Sequence, residues 1–150
     1  MRNTMKGFYK CTNPKKYMGN AKNIVYRSQW EAKYMRQLDL DKNVKAWASE
    51  ELSIRYISPK DHKPHRYYPD FFVEYKDGRK ELIEIKPYAQ TIPPKRTEKK
   101  SRARLLNESV TYKVNQCKWI YATEWCKKNG VTFKVLTEKE LFPKITKKRK

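Results

Sequence analysis

The segment from Lys76-Asp77-Gly78-Arg79 to Pro87 constrains the fold more than any other part of the chain. Asp-Gly between strand-like stretches marks a tight hairpin turn. Proline cannot donate to a ladder, so the strand over residues 80–86 must end at Pro87. Side chains alternate along a strand, which sets Ile83 and Ile85 on one face and Glu84 and Lys86 on the other. The isoleucine face belongs to a core, and Glu84 and Lys86 are then expected at the surface or edge of a sheet. Residues 66–75, rich in aromatic and β-branched types, are expected to pair across the turn. That puts Asp70 on the neighbouring strand, able to face the same way.

The rest of the chain supplies elements to pack on this hairpin. Trp30, Tyr34 and Leu38 recur at every fourth position, one face of an amphipathic helix over 28–38. Ser28-Gln29-Trp30-Glu31 fits a capping box at its start. An extended segment over 46–57 follows, with Leu52, Ile54 and Tyr56 alternating with Ser53 and Arg55, and His62-Lys63-Pro64-His65 is its turn. Beyond Pro87, Ile92-Pro93-Pro94 makes a stiff loop. Val110, Val114, Cys117, Tyr121 and Trp125 share a helical face that ends at Asn129-Gly130, where a left-handed cap is expected, and Cys117 is read as facing the core. Residues 131–136 read as a strand, and Thr137 with Glu140 as a capping box before a last helical turn. The predicted order is helix, three strands, helix, strand, helical turn, in one domain over 24–143. A basic, turn-rich arm at 1–23 precedes it, and a tail at 144–150 with five basic residues and no acid follows.

The charge balance narrows the partner. Lys and Arg number 36 against 16 Asp and Glu, a formal net charge of +20. Such a surface repels itself, and an anionic partner relieves that repulsion. Nucleic acid is the first candidate. A membrane partner is disfavoured: no apolar run approaches the ~20 residues of a span, and no basic amphipathic helix or lipidation signal is present. Cys11, Cys117 and Cys126 are odd in number and lack metal-ligand spacing, so they read as reduced thiols of a cytosolic setting.

Thirteen residues separate Asp70 from Glu84, and one separates Glu84 from Lys86. Two carboxylates on adjacent strands offer hard oxygen ligands suited to magnesium, with manganese as the alternative. A lysine beside them can orient or deprotonate a water, or stabilise charge at phosphorus. Taken alone, Glu-x-Lys is equally the spacing of an exposed salt bridge contributing under ~1 kcal/mol. Joined to Pro69-Asp70, a short hairpin and an upstream acidic helix, it favours phosphodiester hydrolysis. Glu31 has two readings: an accessory acid of the site, or the capping residue bonding back to the Ser28 amide. Arg27 either contacts phosphate or marks the start of the helix. Six of the ten residues 95–104 are basic: Lys95, Arg96, Lys99, Lys100, Arg102 and Arg104. They are read as a DNA-gripping element that fixes position rather than sequence, against a plain solvated face. His62 and His65, with Pro64 between them and no companion ligands, make a poor zinc site. Tyr67 and Tyr68 either stack on bases or pack.

Pro69-Asp70 and Glu84-Ile85-Lys86 resemble the signature of the PD-(D/E)XK nuclease superfamily, over most of residues 24–136. The resemblance implies an α/β protein with a restriction-endonuclease-like αβββαβ core and a mixed central sheet flanked by helices. The acid then lies on the second core strand and Glu-x-Lys on the third. It further implies Asp70 and Glu84 as magnesium ligands, Lys86 as general base or charge stabiliser, and Glu31 as a third, accessory metal-binding acid from the first helix. More narrowly, Tyr26-Arg27-Ser28 with Trp30-Glu31, Trp47-Ala48-Ser49-Glu50-Glu51, Arg66-Tyr67 with Pro69-Asp70-Phe71, and Lys118-Trp119 through Trp125-Cys126 resemble the head-completion nucleases of T-even-type tailed phages. That family implies a magnesium-dependent deoxyribonuclease acting on packaged phage DNA before heads join tails. Capsid or portal proteins are then expected partners, and the host cytoplasm during infection or the virion head the location. A homodimer is one arrangement open to a duplex-cutting enzyme of this size. The rival reading is a non-catalytic DNA-binding structural protein of the phage head. A basic RNA-binding protein is a third, without an RNP or KH signature.

Overall fold

In a computed structural model, described over residues 6–143, three α-helices and eight strands follow one another along the chain. They are β1 (Gly7–Tyr9), β2 (Ile24–Tyr26), α1 (Gln29–Leu40), β3 (Val44–Ser49), β4 (Ile54–Ile57), β5 (Pro64–Tyr67), β6 (Phe71–Tyr75), β7 (Lys80–Ile85), α2 (Arg102–Asn129), β8 (Thr132–Leu136) and α3 (Glu138–Leu141). The hairpin turn falls at residues 76–79 as expected: the Gly78 N–H donates to the Tyr75 carbonyl and the Tyr75 N–H to the Arg79 carbonyl. β6 and β7 pair antiparallel, with Phe71 opposite Ile83 and Phe72 opposite Leu82.

The central sheet has the order β3-β6-β7-β8. β3 joins β6 antiparallel, whereas β8 joins β7 parallel after the crossover through α2, which makes the sheet mixed. The sequence α1, β3, β6, β7, α2, β8 is the expected αβββαβ core, with helices flanking a mixed sheet. β7 lies inside the sheet, so both of its faces are covered. Ile83 packs with Met35, Leu38, Trp47 and Val73 on the α1 side. Leu82 packs with Ala122 and Cys126 of α2 and with Ile54, Tyr56 and Tyr67 on the other. Burying Leu82 and Ile83 contributes about 1.5–3 kcal/mol each.

Two predicted strands are broken. The extended segment over 46–57 is two strands, because Glu50 turns into the left-handed region (φ 52°) and donates its N–H to the Asp70 carbonyl at 3.1 Å. The segment over 66–75 is interrupted at Tyr68-Pro69-Asp70, where Pro69 offers no ladder donor. The released pieces, β4 and β5, pair with each other as a separate antiparallel ribbon against α2. Asp70 therefore sits in the bend immediately before β6 rather than within a strand.

α2 starts at Arg102, two turns before the first apolar position of its predicted face, with the Ser101 hydroxyl accepting from the Arg104 N–H. The first of those turns is exposed and carries Arg102 and Arg104, and Leu106 beyond it faces solvent, so no apolar period marks the start of the helix. Of the residues expected on the buried face, Tyr121 is exposed; the buried stripe runs instead through Asn115, Ala122 and Cys126. Gly130 takes the expected left-handed cap (φ 68°, ψ 32°), and Thr137 with Glu140 forms the expected capping box. Among the described residues no helix is long and apolar enough to cross a membrane.

Residues 7–26 pack on α1 and β3. The Asp39 carboxylate, fully buried, accepts from the Tyr9 hydroxyl at 2.7 Å and from the Thr12 and Asn13 amides. Tyr17 stands edge-on to Trp47 with ring centroids 4.8 Å apart. The basic tail, 144–150, lies outside the described residues.

Candidate active site

The hairpin and the bend before it bring Asp70, Glu84 and Lys86 together. Asp70 is only partly covered as a residue, but its carboxyl turns inward, where Oδ2 accepts from the Ile85 N–H at 2.7 Å. That bond ties the acid of the bend directly to the centre of Glu84-Ile85-Lys86. Lys86 Nζ lies 3.5 Å from Glu84 Oε2. Glu84 is 7% exposed, and its Oε1 accepts from the Tyr67 hydroxyl at 2.6 Å. The expectation of Glu84 at a sheet surface or edge is thus corrected. β7 is an interior strand, and the β4–β5 ribbon and α2 cover the face that carries Leu82 and Glu84.

Burial of these acids has an electrostatic consequence. The Asp70 carboxyl is pushed well above the ordinary carboxylate range, first by burial and then by the charges of Glu84 and Glu31, with the Ile85 N–H and Lys86 opposing. Glu84 is also raised by burial, against the pull of Lys86 and the Tyr67 hydroxyl. Glu31 is raised by burial too, and feels Glu50 and Glu84. Mutually repelling carboxyls recessed in low-dielectric surroundings attract a cation or a proton.

Glu31 follows neither of its predicted descriptions fully. The Ser28 hydroxyl accepts from the Glu31 N–H, but Glu31 Oε1 accepts from the Arg27 N–H at 2.9 Å, one residue before the expected Ser28 amide. Its carboxyl is near enough to Asp70 to raise it, so capping and proximity to the site coexist. Arg27 is engaged by Glu50, with Nε and Nη2 each 3.1 Å from a carboxylate oxygen. Among the described residues no three His, Cys, Asp or Glu side chains gather into a ready metal cage. His65 bonds Asp61 at 2.8 Å.

The basic run lies on the loop that leaves β7 after Lys86 and on the first turn of α2. Lys95, Arg96, Lys99, Arg102 and Arg104 are exposed. Lys100 and Arg104 share Glu108, at 2.7 and 3.0 Å. Tyr67 is buried and Tyr68 exposed, so of the two only Tyr68 is open to a partner.

Two further residues stand beside the site: Tyr67, expected to stack on bases or pack, and Lys118, for which no role was expected. Tyr67 holds Glu84, and Lys118 Nζ lies 5.6 Å from the Tyr67 ring centroid. Burial and the Lys86 charge push the Lys118 ammonium down, while Glu84 pulls it up. Its signal in the sequence is a lysine in register with the stripe Asn115, Ala122, Cys126, where an apolar residue is expected.

Comparison with known proteins gives the family of the chain. Residues 41–138, which span β3 to the start of α3, match the family described as TnsA-like endonuclease N terminal. The chain is 37% identical over 129 residues to the head completion nuclease of Enterobacteria phage T4, covering 84% of this chain and 86% of that protein. The chain belongs to the head-completion nuclease family, on a TnsA-like endonuclease domain. The matched span contains Asp70, Glu84 and Lys86, whereas α1 with Glu31 precedes it. The restriction-endonuclease-like fold is the one the element order describes.

Proposed function

We propose that this chain is a magnesium-dependent deoxyribonuclease that acts on packaged phage DNA during head completion, before heads join tails. The observation that carries the reading is the Asp70 carboxylate on the Ile85 amide, with Glu84 and Lys86 on either side of that residue. The likeness to a head completion nuclease supports the biological setting, in which capsid or portal proteins are the partners and the host cytoplasm or virion head the place. A homodimer is the arrangement proposed for cutting both strands.

The donor set fits a magnesium ion, with manganese as a substitute. Magnesium keeps several waters and binds through one or two carboxylates plus substrate phosphates, so a site without a third ligating side chain suits it. Asp70 and Glu84 are the ligands, and Glu31 is the accessory acid. When bound, the cation acidifies a water and clamps phosphate oxygens. Tyr67 fixes the orientation of Glu84. Lys86 orients the attacking water, takes its proton or neutralises charge growing on the phosphate. Lys95, Arg96, Lys99, Lys100, Arg102, Arg104 and Arg27 hold the phosphate backbone without reading sequence, so binding weakens steeply with salt.

The test is cleavage of plasmid and linear duplex DNA by the wild-type chain. Cutting is expected with magnesium or manganese and is expected to stop with EDTA. Cutting at equal rate in EDTA would refute metal dependence. Tight DNA binding with no cutting under any divalent cation would favour the structural DNA-holding role.

A further inference from the structure

α2 buries one polar side chain for which the core has no use. Asn115 is 6% exposed and lies on the same helix as Ala122 and Cys126, which are buried in an apolar cluster. Elsewhere on α2, Arg104, Cys117, Thr123 and Asn129 each donate a side-chain hydrogen bond. Among the described residues the Asn115 amide makes no such bond within the fold. Its amide is not sealed in the core, because among the described residues the one fully buried side-chain polar atom without a partner is Trp47 Nε1; an amide that borders open space is free to bond a ligand there.

Asn115 lines a cavity of about 640 Å³ between α2 and the loop after β7. Ile92, Pro94 and Tyr112 wall it, and Lys95, Lys100 and Arg104 stand around it. Glu108 also lines it, bonding Lys100 and Arg104; three cations against one acid leave the rim positive. The volume lies in the range of small-molecule sites, about 300–1,000 Å³. Its lining combines three kinds of group. An aromatic ring and apolar walls suit a planar base, an amide offers adjacent donor and acceptor atoms to a base edge, and cations outside suit a phosphate. A paired base enters a pocket only by being flipped out at the cost of its pairing and stacking, so an already unpaired base is the favoured occupant.

The cavity also neighbours the acidic site. Asn115 precedes Lys118 by about one helical turn, roughly 4.5 Å along the axis. The loop that walls the cavity departs from β7 at Lys86, the residue facing Glu84. We propose that this cavity takes one unpaired nucleotide of DNA, its base between Tyr112 and Asn115 and its phosphate on Lys95, Lys100 and Arg104. The assignment rests on DNA being the substrate, and it directs the chain to strand ends or other unpaired positions beside a duplex.

The experiment compares binding of two hairpin DNAs by fluorescence anisotropy in EDTA, one blunt and one with a short single-stranded overhang. A parallel overhang carries 2-aminopurine at its unpaired position. Wild type is expected to prefer the overhang by roughly tenfold, the scale of one stacked base. Its 2-aminopurine signal should fall as the base stacks. Asn115→Leu and Tyr112→Ala should each bring the preference towards one and abolish the signal change. Tyr112 is only half-buried, so its variant keeps the test valid if Asn115→Leu fails to fold. Equal wild-type affinity for both hairpins overturns the proposal, as does a preference that survives Tyr112→Ala. Because EDTA silences cutting, a chain that never cleaves can still show the preference. One that cleaves without it overturns the pocket alone.

Discussion

Lys86→Ala is expected to slow DNA cleavage by at least about a hundredfold while leaving the chain folded. General-acid or -base groups and charge stabilisers each supply on the order of 10²–10⁴ in rate. Lys86 serves the site twice. It faces the reacting phosphate in the proposed mechanism, and its charge is the largest influence holding the Glu84 carboxyl down against burial. Removing it therefore costs the catalytic ammonium and also lets Glu84 hold a proton to higher pH. Lys86 sits just past the end of β7 and is half-exposed, so its loss leaves no cavity in the core. Single-turnover cleavage against pH checks both effects: a lower plateau, and an acid limb moved towards higher pH. Lys86→Arg should keep the charge but recover little rate, because arginine cannot shed a proton and its fork does not match a compact ammonium. Rates within threefold of wild type for Lys86→Ala would remove the lysine from the mechanism.

Asp70→Asn is expected to abolish cleavage and to stabilise the protein. An amide preserves the shape and can still accept from the Ile85 N–H, but it carries no charge for burial, Glu84 and Glu31 to oppose. The direction with pH follows from linkage. Asp70 binds its proton more tightly in the folded state than in the unfolded chain, so its protonation favours folding at low pH. That contribution is present below the unfolded pKa near ~4 and is lost as pH rises through the raised folded value. At neutral pH in EDTA, well above the unfolded pKa, Asp70→Asn should be more stable by about 1 kcal/mol, the scale found when a strained functional position is relieved. The advantage should shrink as pH falls towards the unfolded pKa. Urea titrations of both proteins at several pH values, without divalent cation, measure this. A variant less stable than wild type at neutral pH would show that Asp70 is a structural acid and not one held against its preference.

The contrast between what the sequence revealed and what it concealed has a physical basis. The hairpin at residues 76–79 was legible because Asp-Gly turn chemistry is local, as were the Gly130 cap and the Thr137–Glu140 capping box. The αβββαβ order was legible too, since period-two and period-four patterns mark strand and helix. The split of 46–57 into β3 and β4 was not, because alternation of Leu52, Ile54 and Tyr56 looks the same in a sheet strand and in a side ribbon. Only the long-range Glu50–Asp70 bond decides between them. The site was legible in its residue types and misjudged in its surroundings. Glu84 was expected at a surface because alternation gives a face and not what covers that face. The cover comes from Tyr67 on the ribbon and Lys118 on α2, residues 17 and 34 positions away in sequence.

The central claim, that Asp70 and Glu84 jointly hold a divalent cation within reach of Lys86, is tested most directly by a crystal structure soaked in manganese with anomalous data at the metal edge. The expected result is an anomalous peak bridged by Asp70 and Glu84, with waters completing the shell and Lys86 Nζ turned towards one of them. A saturating soak that leaves this position empty, with Glu84 still held by Tyr67 and Lys86, would contradict it.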